Sequence, residues 1–518
     1  MSFITNVFTW YLVRIINESW ILLEKTSFLE YTKYTVHSCR NLSTGYVIVT
    51  NNKHPNMIWT LPQPIQTWKQ VFNQDNEKDA HGRWFDLFFD LLFVGVAFNV
   101  GHLIEHLLHD HSFTYVMIKS LSIFFVLFSA WLQNVLYYAR FDVHDTFHKM
   151  LDVLEFTAIG IAAFHSGGLA DHHGQTYQAT GFAIAMWICG LITTGRCAEL
   201  TRSKHANART QAIAVLQVNG LNITLCAIAI GIGLNDGKTA MLDSIDLSTA
   251  DTVLGILVLA AIFPIAALFS RVVLCRSKKW QNSTVPVHIS FLCHRVGEFT
   301  MLMLGESVLS CVTFKAPIAF NGGRFHIAAI SAFVITTALM YEGYSAASFH
   351  AEKHVMRCSA FGGVVWLNNT WAHSFALICV GVCLRIAMGR GEERLYMNES
   401  LLFSGSLVAS FLFAQLTEFL HTLDGRPGGD SLWISITKLF ELHRLIEFCV
   451  ALLQLSIPWW SLYKSLSAYD EVVLSGGITL VASALQAFDT DAHELEGRFH
   501  KHEEHGDDDG KGKHEHHE

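Results

Sequence analysis

Long apolar runs separated by short polar joints dominate the chain from residue 85 onward. They fall at 85–108, 114–139, 147–165, 177–195, 209–234, 250–274, 288–314, 326–349, 364–388, 400–421, 436–463 and 472–488. Runs of about 18 residues or more are read as membrane spans, because a helix of that length crosses the hydrocarbon of a bilayer. The pattern predicts an all-α polytopic membrane protein with roughly 11–12 transmembrane helices. The last run is short and also fits a helix lying on the membrane surface. Any one run would suit the buried helix of a soluble protein. So many in series leave no polar surface to keep a chain in water.

The ends of the chain read differently. Residues 1–24 are apolar but interrupted by Arg14 and Glu18, without the basic start and small-residue exit of a cleavable signal. They predict an interfacial amphipathic helix, with an extra span as the alternative. Residues 40–80 are polar, contain Pro55, Pro62 and Pro64, and read as a loop into the first firm span. The tail HELEGRFHKHEEHGDDDGKGKHEHHE is charged and Gly-broken and cannot bury a core. The expected division is 1–82, a helix and polar loop; 83–488, the helical bundle; and 489–518, a disordered His- and acid-rich tail.

Composition supports the membrane reading. Of the 518 residues, 51% are hydrophobic and 16% charged, against about a quarter charged in soluble domains. The net charge of −9 is partly set by the tail. No basic stripe with interleaved aromatics is present, so nucleic acid is not an expected partner. The 11 Cys form no CxxC pair and give no disulfide or zinc-ribbon framework. Arg196, Arg202, Lys204 and Arg209 cluster after the fourth run, and Arg271, Arg276, Lys278 and Lys279 after the sixth. The loops after the first and third runs, DHHSF and SGGLADHHGQT, hold no Lys or Arg. Basic residues stay cytoplasmic, which predicts a cytoplasmic N-terminus. Lys315 and Arg324 weigh mildly against this. The plasma membrane is the expected residence.

Ionisable groups inside the runs carry the chemistry. A charge at the bilayer centre is costly, so it should face the bundle interior with a partner. In WFDLFFDLLFVGVAFNVGHLIEH, Asp86 and Asp90 are four apart and share a helix face. His102 and His106, with Glu105 beside them, point to roughly the opposite side and lie about 24 Å further along the axis. The chain therefore sets two sites on one helix, one near each membrane face. In HISFLCHRVGEFTMLMLGESVLSCV, His294 and Glu298 share a face, Arg295 is adjacent, and Glu306 follows inside LGES. Glu306 is read as a proton-relay or cation ligand, or else as a structural carboxylate paired with Arg140, Arg196 or Arg385. A His-Lys/Arg-x-x-Asp/Glu pattern recurs as His148 to Asp152, His294 to Glu298 and His443 to Glu447, near the starts of the third, seventh and eleventh runs. It raises the idea of a four-span internal repeat, an arrangement common in transporters. Asp152, Glu155, His443 and Glu447 join His102 and His106 as secondary candidates.

FDLFFDLLFVGVAF, ARFDVHDTFHKML and VPVHISFLCHRVGEFTMLMLGESVL together resemble the low temperature requirement A family of multi-pass helical membrane proteins, over roughly residues 83 to 460. The resemblance aligns Asp90 with the family's FFD aspartate. Asp142 and Asp145 match its middle acids, and Arg295 and Glu306 its E-R…L-G-E pair. Asp86 stands where the family usually has Glu, His294 where it has the Glu of E-R, and Phe291 where a His is common. The family name names no substrate, so the resemblance bears on architecture.

The expected function is a secondary transporter or channel for protons, cations or a small solute. Asp90, Arg295, Glu298 and Glu306 would form its polar interior, with Asp86 and His294 beside them. No P-loop phrase is visible, which argues against ATP-driven pumping. The first alternative is an intramembrane metal-dependent hydrolase, in which His102 with His106, or His294 with Glu298, ligates zinc. No HExxH phrase supports it. The second alternative is a scaffold or sensor whose buried charges only hold helices in register. The leading reading is no enzyme, needs no cofactor, and takes the lipid bilayer and a small ion or solute as partners.

Overall fold

The computed structural model describes residues 59–65, 84–143, 145–170, 175–235, 248–274, 284–312, 322–347, 354–358, 360–422 and 442–483. The expected amphipathic helix at 1–24 and the tail at 489–518 lie outside the described residues.

The chain forms helices α1 (Trp84–Asp110), α2 (Phe113–Tyr138), α3 (Thr146–Gly167), α4 (Gln175–Leu200), α5 (Ala206–Leu234) and α6 (Thr249–Leu274). These are followed by α7 (Ile289–Met303), α8 (Gly305–Val312), α9 (Gly322–Ala347), α10 (Val355–Cys358), α11 (Ala360–Arg390), α12 (Met397–Thr422) and α13 (Leu442–Lys464). A last helix, α14, covers 468–483. Among the described residues nine helices are long and apolar enough to cross a membrane: α1 to α6, α9, α11 and α12. The seventh run is instead divided into α7 and α8, with Leu304 between them.

Each span carries one face for lipid and one for protein. On α1, Asp86, Phe89, Asp90, Phe93, Ala97, Val100 and Ile104 are buried, while Leu87, Phe88, Leu91 and Phe98 are exposed. Exposed apolar side chains are the expected outer surface where the solvent is hydrocarbon. Pro264 lies inside α6 and Pro458 inside α13. Interior prolines are tolerated in membrane helices, where neighbours re-satisfy the freed backbone groups. α11 is the central helix, with 83% of its span window buried, against 22% for the peripheral α5. α11 packs on α1, α6, α7, α8 and α12, and α1 also touches α2, α3 and α7. The bundle core is therefore built around α1 and α11.

Two short strands, β1 (Gln63–Pro64) and β2 (Phe141–Asp142), pair antiparallel with Gln63 opposite Asp142. They tie the polar segment before α1 to the α2–α3 junction. Thr60 donates from both its backbone N–H and its hydroxyl to Asp145 Oδ2, at 3.0 and 2.8 Å. Asp145 is also the N-cap of α3, accepting from the His148 N–H at 2.8 Å. Burial works against its charge, but the hydrogen bonds from His148 and Thr60 outweigh it and hold the carboxyl below the usual aspartate range. An acid matched by the family resemblance thus has a structural task.

Asp145→Ala is expected to cost about 1 kcal/mol as a lost cap, with more from the freed strap. The native pKa is lowered, so this stability is present above the pKa of an unfolded aspartate. It fades as pH falls through the lowered native value. Unfolding midpoints measured from neutral pH downward should show the native protein losing its advantage over Asp145→Asn. A constant gap between the two would contradict this account.

Candidate functional site

The structure resolves the ionisable groups into several buried clusters. In the first, Arg295 of α7 reaches α1, donating from Nη2 to Asp90 Oδ1 at 2.8 Å and lying 3.8 Å by Nη1 from Asp86 Oδ1. Trp131 of α2 donates from Nε1 to the same Asp90 oxygen at 2.7 Å. Asp90 and Arg295 are both essentially inaccessible. Asp90 Oδ2 makes no hydrogen bond with another described residue. The four-residue spacing of the two aspartates puts both on the face that meets α7, as the sequence predicts.

Glu306 belongs to a second cluster. It is the second residue of α8, two residues after the break at Leu304, and is fully buried. Arg385 of α11 donates from Nη1 to Glu306 Oε1 at 2.7 Å and places Nε 3.0 Å from Glu105 Oε2 of α1. Glu306 Oε2 makes no hydrogen bond with another described residue. Glycines make the approach possible. Gly381 of α11 lies against the backbone of Glu306 and Ser307, and Gly101 of α1 lies beside the Glu306 carboxylate and Val382. Gly101 is 11 residues along α1 from Asp90, about 16 Å at helical rise. Asp90 and Glu306 therefore occupy different depths.

An aromatic layer lies next to the first cluster, on the side of the second. Phe93 follows Asp90 by one turn of α1, and Phe299 follows Arg295 by one turn of α7. Trp131 and Phe299 have ring centroids 4.1 Å apart, Phe93 and Phe299 5.4 Å, and Phe128 and Phe299 5.6 Å. All four are buried.

A third cluster joins α2, α3 and α4. Arg196 donates from Nη1 to Glu155 Oε2 and from Nη2 to Asp152 Oδ1, each at 2.7 Å. Asn134 donates to Glu155 at 2.9 Å, and the Tyr138 hydroxyl to Asp152. The guanidinium also lies over the rings of Tyr137 and Tyr138, at 5.4 and 5.5 Å. Nearby, His148 lies between Asp145 and Glu199, with ring nitrogens 2.9 Å from each carboxylate. The run pattern places Arg196 just past the fourth span, among loop charges; the structure instead buries it within α4, 1% exposed, because its position on the inner helix face outweighs its place near the helix end.

The remaining candidates are distributed around these clusters. His294 is half-exposed and pairs with Glu298 at 3.2 Å, apart from the Asp90 contact made by the adjacent Arg295. The first two copies of the repeated pattern thus bury different members: His148 is inside and Lys149 outside, whereas Arg295 is inside and His294 outside. His102 and His106 sit on the exposed side of α1 with ring centroids 4.3 Å apart. Among the described residues no three His, Cys, Asp or Glu side chains converge as a metal site. The side chains of His443 and Glu447 lie outside the described residues. A polar contact that the sequence pattern does not single out joins Lys119 of α2, buried, to Asp251 of α6 at 3.5 Å. Its signal was a lysine one turn inside an apolar run.

Helices with lipid-suited outer faces and paired charges inside define an integral, multi-pass helical membrane protein. The chain belongs to the bacterial low temperature requirement A protein family, whose family model matches residues 82–469. No curated protein and no solved structure matches it.

Proposed function

We propose that the protein is a secondary transporter or channel moving protons, a small cation or a small solute. Asp90 and Glu306 are its membrane-embedded ion-handling groups, and Arg295 and Arg385 their internal counter-ions. The observation that carries this reading is Glu306. It is a fully buried carboxylate at a break between helices, with one oxygen on Arg385 and the other unbonded among the described residues. Broken helices that present polar groups at membrane depth recur in transporters, and intramembrane acids mark ion paths. Arg385 also faces the partly exposed Glu105, so the guanidinium can exchange one carboxylate for the other while Glu306 is occupied. The aromatic layer supplies a barrier between the two depths. Residence in the plasma membrane and a cytoplasmic N-terminus belong to this proposal, and enzyme activity does not.

The test is pH-gradient-driven proton and cation flux into liposomes containing the purified protein, beside Asp90→Asn and Glu306→Gln. In well-folded Glu306→Gln, flux should fall by about tenfold or more, the effect of weakening ion binding by roughly 1.4 kcal/mol. Competition among ions then identifies the transported species. Absence of flux from the native protein would sink ion movement. Variants with reduced folding yield and native flux would favour a purely structural role for both acids.

A further inference from the structure

A cavity of about 50 Å³ lies between α2, α4, α5 and α6, away from the Asp90 and Glu306 clusters. At roughly 10–15 Å³ for each water position, that is room for about four waters or one solute of about three or four heavy atoms. Leu136, Val215 and Pro264 give it apolar walls, and Gln133, Tyr137 and Asn219 line it as well. A smaller space of about 20 Å³ continues from it towards the middle of the bundle and shares Gln133 and Thr193. The cavity begins beside Arg140, Phe141 and Leu200 at the helix ends.

Asn219 gives the cavity its chemistry. The residue is 1% exposed, yet neither its side-chain oxygen nor its nitrogen bonds another described residue. The Tyr137 hydroxyl is likewise unbonded among the described residues. A buried amide without partners is strongly unfavourable, and leucine would fill the same place without that penalty. The groups on offer are a donor and an acceptor from Asn219 and a hydroxyl from Tyr137. Among the described residues no carboxylate or lysine lines the space, and Arg140, the charged residue among them that does, is engaged in another interaction. A cation would find no counter-charge among these residues.

We propose that this cavity is a binding site for a small uncharged solute that has an apolar body and a hydrogen-bonding group, recognised by Asn219. The site is independent of the ion path proposed above and can hold whether or not that path exists.

Ethanol and propane test it, because they are of similar size and differ by a hydroxyl in place of a methyl. Binding to the full-length protein in detergent is measured by saturation-transfer NMR. Only the saturable part is counted, so partition into micelles drops out. The native protein should bind ethanol about fivefold more tightly than propane, the effect of one net hydrogen bond. Asn219→Leu should remove that preference while still binding propane, and Val215→Trp should abolish saturable binding of both. Equal native affinity for the two probes would overturn the proposal, as would an unchanged preference in Asn219→Leu. Absence of saturable binding by the native protein would overturn it too and leave a cavity that holds water only. The native comparison needs no variant, so a variant that fails to fold does not weaken the test.

Discussion

Replacing Arg196 with leucine should destabilise the protein by about 3–5 kcal/mol, the usual result of removing one partner from a buried ion pair. That is a large part of a typical stability of roughly 5–15 kcal/mol. The loss arises mainly from what remains. Asp152 and Glu155 each give an oxygen to the guanidinium at 2.7 Å, and both are buried. Without Arg196 two carboxylates face each other's charge, and the hydrogen bonds from Tyr138 and Asn134 do not neutralise it. The three helices α2, α3 and α4 then lose the group that holds them in one register. Asp152→Asn alone should cost less, since Arg196 still meets Glu155. The triple variant Arg196→Leu, Asp152→Asn, Glu155→Gln should recover most of the loss, because no uncompensated charge remains. Thermal unfolding in detergent reads all three. A single Arg196→Leu variant with the native midpoint would mean that the cluster does not hold the helices. Failure of the triple variant to recover would point to packing of the arginine stem over Tyr137 and Tyr138 instead of charge.

Most of this architecture was written in periodicity, and most of the pairing was not. Apolar run length gives the spans, because the bilayer imposes it. The spacing of Asp86 and Asp90 gives a common inward face, because 3.6 residues make a turn. An intramembrane acid must also have a partner, so Glu306 was expected to meet either a transported species or an arginine from another helix. Three arginines were equal on that logic, and only packing selects Arg385. Arg196 shows the converse. Counting charges in loops ignores which face of a helix a residue occupies, and Arg196 falls four residues from the buried Ile192 and Leu200. The aromatic layer left no trace in the sequence, since Phe and Trp are ordinary members of any apolar run. The cavity around Asn219 was equally silent, because a single Asn in an apolar helix looks the same with or without a partner.

A valine at position 381 should be the most damaging small substitution near Glu306. A Cβ at Gly381 would lie 2.7 Å from the Ser307 backbone nitrogen and 2.9 Å from the Glu306 carbonyl carbon. Those atoms belong to the first turn of α8, where the Ser307 N–H is already bonded to the Leu304 carbonyl at 2.9 Å. Backbone cannot rotate aside as a side chain can. α8 must therefore move from α11 as a unit, and overpacking of this kind costs about 1–3 kcal/mol, occasionally more. Valine should sit at the upper end and alanine lower. Gly101→Ala makes a useful contrast. Its Cβ would meet Val382 Cγ2 at 2.8 Å and the Glu306 carboxylate at 3.3 Å, and both of these are side-chain ends that can yield. The unfolding midpoint should therefore fall most for Gly381→Val, then Gly381→Ala, with Gly101→Ala least affected. If the proposed ion path exists, flux should follow a different rule. Moving α8 off α11 draws Glu306 away from Arg385, so folded Gly381→Ala should lose flux out of proportion to its stability. A native midpoint in Gly381→Val would show that α8 is not seated on α11. A lowered midpoint with native flux would separate the close approach from the ion path and leave Gly381 a purely packing residue.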